Sequence, residues 1–385
     1  MIQRKKVKEC ENAITKMVSN ADNDESSDKN GFYYGKNAIS DNDILFDRKH
    51  SMPPHGLIVG SAGTGKTFAV VQEIEQVLDK TDDSVIIIGR VDAYLSDESR
   101  VVSISPYDSI SPYHINPLDL YITDKDEEAS AAISVVAKNT IMLFEELICR
   151  SMTPAERCVV DNGVMRLFEP FVKRLKEHKI KCDYVNNPTL SDIAELLLSE
   201  DKAELLYELR EKETVIKEYF SYKTFIPDNR AVILTWKDEP HLNSALYAGC
   251  VMFSWNSLLK KREEQKYLWI YLEEFGSLLG NDTVNTIKLV YGLFKRSRCY
   301  GGIVTLITQS IEQLIKDEED NAFFEQAGFI RCMSCQNISD RKCIGEFFGL
   351  NDEMLDYIHN APVGGGLFIA PRLVIPVSNS FLNLG

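Results

Sequence analysis

The chain has 385 residues, 44% of them hydrophobic, enough to bury the core of one large domain or two ordinary ones. Its formal net charge of −15 excludes broad, sequence-independent binding to nucleic acid, which depends on Lys and Arg neutralising phosphates. Nine scattered cysteines suit reduced thiols better than a disulfide framework, and neither a long apolar run nor a signal peptide appears. The sequence therefore reads as a soluble protein that meets a membrane only through partners.

Residues 1–31 are polar and charged and are expected to be flexible. Two short strands are predicted over 32–48. The apolar run Leu57, Ile58, Val59 then leads into Gly60, Ser61, Ala62, Gly63, Thr64, Gly65, Lys66 and Thr67, which match the phosphate-loop pattern at every fixed position. Phe68, Val71, Ile74 and Leu78 follow at helical spacing, so strand, glycine loop and helix come in the order the motif requires. In that arrangement backbone N–H groups and the helix N-terminus cradle the phosphates of a nucleoside triphosphate. Lys66 reaches the β and γ phosphates, and the Thr67 hydroxyl ligates Mg²⁺.

Val85–Ile88 reads as a buried parallel strand and Val101–Ser105 as another. From about Asp124 to Tyr222 the pattern turns helical. One helix is predicted over Ala131–Cys149. A second opens at Thr153 with Pro154 and Glu156 and runs to about His178, a third opens at Thr189, and a fourth covers Lys202–Phe220. Strands return at Ala231–Trp236, Tyr267–Leu272, Gly302–Thr308, Gly328–Ser334, Gly366–Ala370 and Leu373–Val377, with a helix over Ser244–Lys261. The alternation predicts an α/β fold, a mostly parallel sheet flanked by helices, with an inserted all-α subdomain. Cys332 and Cys335 form a C-x-x-C inside a strand-like stretch and read as core.

The strand ending at Leu272 runs into Glu273 and Glu274, the form of a Walker B segment, where ligands of open α/β sheets bind. Glu273 is the expected Mg²⁺ ligand, through water, and Glu274 the group that polarises the attacking water. Gln309, after the next strand, can sense the γ-phosphate. Lys295, Arg296, Ser297 and Arg298 are either a solvated helix face or hold an arginine finger delivered to a neighbouring subunit, Arg298 or Arg296.

Taken together, these residues resemble the type IV secretion and conjugative-transfer ATPases, within the HerA/FtsK group of RecA-like P-loop motors. The resemblance spans roughly 32–380. It is carried by His55–Thr67, Ile115–Leu120, Met152–Arg157, Pro188–Asp192, Leu268–Phe275, Phe294–Gly302 with Thr308–Ser310, and Gly364–Ala370. It implies a RecA-like ATPase domain over 32–123 and 223–385, with an all-α subdomain over 124–222. It implies ATP and Mg²⁺ as ligands and a hexamer, with monomer or dimer as the alternatives for the isolated chain. Partners would be inner-membrane channel components and the coupling protein of a type IV secretion system, at the cytoplasmic face of the bacterial membrane. The resemblance also implies that this sequence corresponds to the C-terminal motor half of such an ATPase, with little of the family's N-terminal docking domain expected in it.

The chain departs from the family pattern in three places. Glu273 stands where Asp is usual. Gly89 and Ala93 replace two acids after the second strand, with only Tyr94 retained. Cys299 follows Arg298 where a basic residue is usual. Three functions stay open on this basis: a motor ATPase for secretion or pilus biogenesis, a DNA-pumping coupling-protein-type translocase, and a nucleotide-binding structural subunit with little turnover.

Overall fold

The computed structural model describes residues 31–89, 99–122, 129–199, 206–273, 284–311, 322–335, 337–371 and 373–379. Apart from Gly31, the expected flexible segment 1–31 lies outside them, as do Ala93 and Glu274.

The sheet begins with β1 (Phe32–Asn37), β2 (Asp43–Phe46), β3 (His55–Val59), β4 (Ser84–Ile88) and β5 (Val101–Ile104). It continues with β6 (Ala231–Leu234), β7 (Leu268–Leu272), β8 (Gly302–Thr308), β9 (Ala327–Met333), β10 (Gly366–Ala370) and β11 (Leu373–Asn379). The spatial order is β2-β1-β11-β10-β9-β3-β8-β7-β4-β6-β5. From β5 through β9 the neighbours are parallel, and from β9 through β2 they are antiparallel. The expected mostly parallel sheet is present. The first two strands extend it on the far side of the C-terminal hairpin, a long-range pairing that local pattern does not reveal.

Every residue of β3, β4, β6, β7 and β8 is buried, because helices cover both faces. Alternation along each strand sorts the side chains. Ile58, Val85, Ile87, Trp269, Tyr271 and Ile307 pack under α1 (Lys66–Lys80). Leu57, Val59, Ile86, Ile88, Ile270 and Leu306 face the other helices.

Between β5 and β6 the described elements are helices: α2 (Ala129–Ile148), α3 (Pro154–His178), α4 (Leu190–Leu198), α5 (Tyr207–Glu211) and α6 (Glu213–Phe220). The predicted caps are present. Thr153 and Glu156 bond reciprocally, and so do Thr189 and Asp192. The single helix expected over Lys202–Phe220 is corrected. Residues 200–205 lie outside the described set, and the rest breaks at Lys212 into α5 and α6. α5 packs on α2 and α6 on α4, two directions that one straight helix cannot serve.

The remaining helices are α7 (Asn243–Glu263), α8 (Val284–Arg296), followed by a 3₁₀ turn over Ser297–Tyr300, α9 (Ala322–Glu325), α10 (Ile338–Phe348) and α11 (Asp352–Asn360). Cys332 and Cys335 are both buried, as expected of core residues. Among the described residues no helix is long and apolar enough to cross a membrane.

Candidate phosphate-binding and metal site

The loop Gly60–Gly65 joins β3 to α1. Gly65 holds φ 96° and ψ 16° at the helix N-cap, a left-handed conformation suited to glycine. No side chain caps α1 and its first turn carries no acid, so the positive end of the helix dipole faces the loop without an acid of its own to compete with an anion. The Lys66 ammonium folds back over the loop and donates to the carbonyls of Gly60 (2.7 Å) and Ser61 (2.9 Å). Burial pulls its pKa below that of an ordinary lysine, while nearby Glu273 supports the charge. The loop is held from outside as well. Ser61 N–H donates to the Ser334 carbonyl (2.9 Å), and Gly364 N–H donates to the Thr64 carbonyl (3.0 Å). Arg331, buried on β9, donates to the Gly364 carbonyl (2.9 Å) and fixes that turn.

Glu273 lies directly after β7. Thr67 Oγ1 donates to Glu273 Oε1 at 3.2 Å, across 206 residues of chain. The two predicted metal ligands therefore meet. Both are hard oxygen donors, and Mg²⁺ on a nucleotide takes few protein ligands, the rest being phosphate and water, so this pair fits the ion. Among the described residues no cluster of three or more His, Cys, Asp or Glu could hold a metal without phosphates. Thr308 of β8 pairs with Val59 of β3, which puts Gln309 beside the loop, exposed at the sheet edge. Glu274 lies outside the described residues.

Arg296 and Arg298 do not join this cluster. Arg298 sits on the 3₁₀ turn that enters β8, at the end of that strand opposite Gln309. Seven residues of strand put it roughly 20 Å from the loop edge. It donates to the Met52 sulfur at 3.4 Å, and the Arg296 guanidinium lies over the Trp255 ring at 5.7 Å. Neither reaches the phosphate loop of its own chain.

Sequence reasoning missed the support beneath the loop. Arg48 and Glu73 form a buried ion pair, with Nη1 2.9 Å from both carboxylate oxygens. Arg48 also donates to the Pro54 carbonyl (3.0 Å) and to Thr305 Oγ1 (2.8 Å). Glu73 accepts from the hydroxyls of Tyr271 (2.9 Å) and Tyr34. Tyr271 near the end of β7 and Glu273 just past it are two residues apart, and both reach α1. That strand thus grips α1 at two levels, Tyr271 on Glu73 and Glu273 on Thr67. The available signal was an acid at position 73 among Val70, Val71, Ile74 and Val77 on the apolar side of the helix.

His55, at the start of β3, is also buried. Its Nδ1 accepts from Val304 N–H (3.2 Å), while Nε2 has no partner. Burial, then the charges of Arg48 and Arg298, push its pKa down to about 3. The folded state thus keeps His55 neutral where the unfolded chain protonates it, and stability is lost as pH falls from about 6.5 toward 3. His55→Asn, which keeps an acceptor for Val304, is expected to make that acid loss shallower. Urea midpoints at pH 7 and pH 5 check this: an equal drop in both proteins would refute it.

Comparison with known proteins bears on the fold. The structure of VirB4 of Thermoanaerobacter pseudethanolicus superposes with a TM-score of 0.74 at 19% identity, covering 93% of this chain and 98% of that one. The conjugative coupling protein TrwB matches in its unbound form at 0.54 and 16% identity, with 87% of each chain covered. In its complex with ADP and Mg²⁺ it matches at 0.55 and 16%, with 89% of each covered. At such identities the likeness shows the fold, that of RecA-like P-loop ATPases. A search of curated proteins found no match. A sequence model of the type IV secretion-system coupling protein DNA-binding domain matches residues 48–318, from the buried Arg48 past the end of β8. That span holds the loop, both predicted metal ligands and the helices between β5 and β6, and over it the chain belongs to the family of type IV secretion-system coupling protein DNA-binding domains.

Proposed function

We propose that the chain is an ATP-hydrolysing motor that energises substrate transfer or pilus and channel biogenesis in a type IV secretion or conjugation system. The observation that carries this reading is the Thr67–Glu273 contact at the foot of a loop already closed over by Lys66. In the proposed mechanism Lys66 exchanges its two loop carbonyls for phosphate oxygens. Thr67, and Glu273 through water, would hold Mg²⁺, which would supply positive charge beside the phosphates. Glu274 and Gln309 orient the attacking water. Arg298, or Arg296, serves the γ-phosphate of the adjacent subunit, a role suited to a group that stands away from its own loop. The RecA-like domain takes 32–123 and 223–385 and carries the all-α subdomain 124–222. The working form is a hexamer at the cytoplasmic face of a bacterial membrane, docked on channel components and the coupling protein.

Steady-state ATP hydrolysis tests the reading. Wild type is expected to turn over at least roughly a hundredfold faster than Glu274→Gln, the lower end of what a group that directs proton transfer contributes. Equal rates would favour a structural subunit. The family description and the TrwB likeness favour a second reading, a DNA-pumping translocase. It requires DNA to stimulate turnover with a steep salt dependence, which the net charge of −15 disfavours.

A further inference from the structure

Two of the departures from the family pattern, the missing acid at position 89 and the longer acid at 273, meet in space. Gly89 follows the last residue of β4, and Ile88 pairs with Leu272 of β7, so Gly89 and Glu273 emerge side by side from adjacent parallel strands. Glu273 N–H donates to the Ile88 carbonyl (2.9 Å), and Gly89 N–H donates to the Leu234 carbonyl (3.1 Å). Both backbones are therefore pinned on the ladder. A Cβ built at position 89 would lie 2.5 Å from Glu273 Cβ and 2.9 Å from its Oε2. Gly89 also holds φ 139°, which L side chains rarely adopt. The Glu273 side chain thus lies flat along bare backbone, one carboxylate oxygen against Gly89 and the other accepting from Thr67.

We propose that Gly89 is a positioning residue for the metal-binding carboxylate: its bare backbone makes the room in which Glu273, one methylene longer than Asp, reaches Thr67. The missing acid and the lengthened acid are then one coupled change that keeps a metal site. This inference rests on the nucleotide-site reading above and concerns how that site is built.

The test measures the affinity of the full chain for a fluorescent ATP analogue, with Mg²⁺ and in EDTA, alongside its melting temperature. Wild type should bind more tightly with Mg²⁺. Gly89→Ala should lose roughly ten- to a hundredfold of that gain, the scale seen when a group orienting a metal ligand is removed, with its affinity in EDTA unchanged. Glu273→Ala should lose the gain as well, and the double variant should match Glu273→Ala alone. The proposal fails if Gly89→Ala keeps the Mg²⁺ gain, weakens both affinities equally, or adds its loss to that of Glu273→Ala. Should Gly89→Ala melt before binding can be read, Glu273→Asp decides. Its carboxylate falls short of Thr67 across the open space, so loss of the gain supports the pairing and full retention overturns it. A wild type that binds the analogue in neither buffer overturns the nucleotide site itself, whereas intact binding with an unchanged Mg²⁺ gain in Gly89→Ala overturns the pairing alone.

Discussion

Lys66→Ala is expected to abolish measurable ATP turnover, lowering kcat/KM by roughly 10²–10³-fold or more, the scale of losing one preorganised charge donor at a phosphoryl transition state. The reason lies in how the ammonium is held. Its two acceptors, the carbonyls of Gly60 and Ser61, belong to the loop that would wrap the phosphates. Half-burial already lowers its pKa, so the partly desolvated charge gains a strong partner when phosphate arrives. Lys66→Arg should not rescue, because a planar fork on a longer stem cannot occupy the same two-carbonyl seat. The folded state should survive Lys66→Ala, since the side chain supports no core packing. Rates measured beside melting curves check both halves: turnover within tenfold of wild type, or a collapsed melting temperature, would contradict this account.

Arg48→Met should be the most destabilising substitution under the loop, by about 3–5 kcal/mol, because it strands the Glu73 carboxylate in the core. Both members are essentially inaccessible to water. The guanidinium also lies 4.6 Å over the Phe329 ring and 5.2 Å over Trp269, so Met refills much of the volume while removing the charge. The double variant Arg48→Met with Glu73→Leu removes both charges and should recover most of the loss. Urea unfolding of the three proteins measures the coupling directly. Additive losses, or a single variant costing less than about 1 kcal/mol, would mean that the pair is not the energetic hub its hydrogen bonds suggest.

The ion pair also shows where the sequence stops being readable. Position 73 is visible in the sequence as an acid on an apolar helix face. Its partner lies 25 residues earlier in an irregular segment, and nothing local connects them. The same holds for Ser334 and Gly364, which brace the phosphate loop from just past β9 and from the turn before β10. α10 and α11 carry short-range signals, Asn337 and Asn351 as N-caps and Gly349 as a left-handed C-cap. α10 is only weakly amphipathic, and α11, although clearly amphipathic, is nine residues long, too short for its pattern to stand out, and the helices were not predicted.

By itself the sequence determined whatever rests on local chemistry: the strand, glycine loop and helix around Lys66, the capping boxes at Thr153 and Thr189, the buried parallel strands, and the acid that ends β7. These depend on residues within a turn or two of one another, so spacing alone carries them. Only the tertiary structure decided the rest. Strand order placed Gln309 beside the phosphate loop and Arg298 at the opposite end of the same strand. Parallel register set Gly89 against Glu273, so that two apparent losses became one fitted contact. The physical reason is that hydrogen-bonded pairing between distant strands fixes which residues become neighbours, and that information is distributed over the whole sheet.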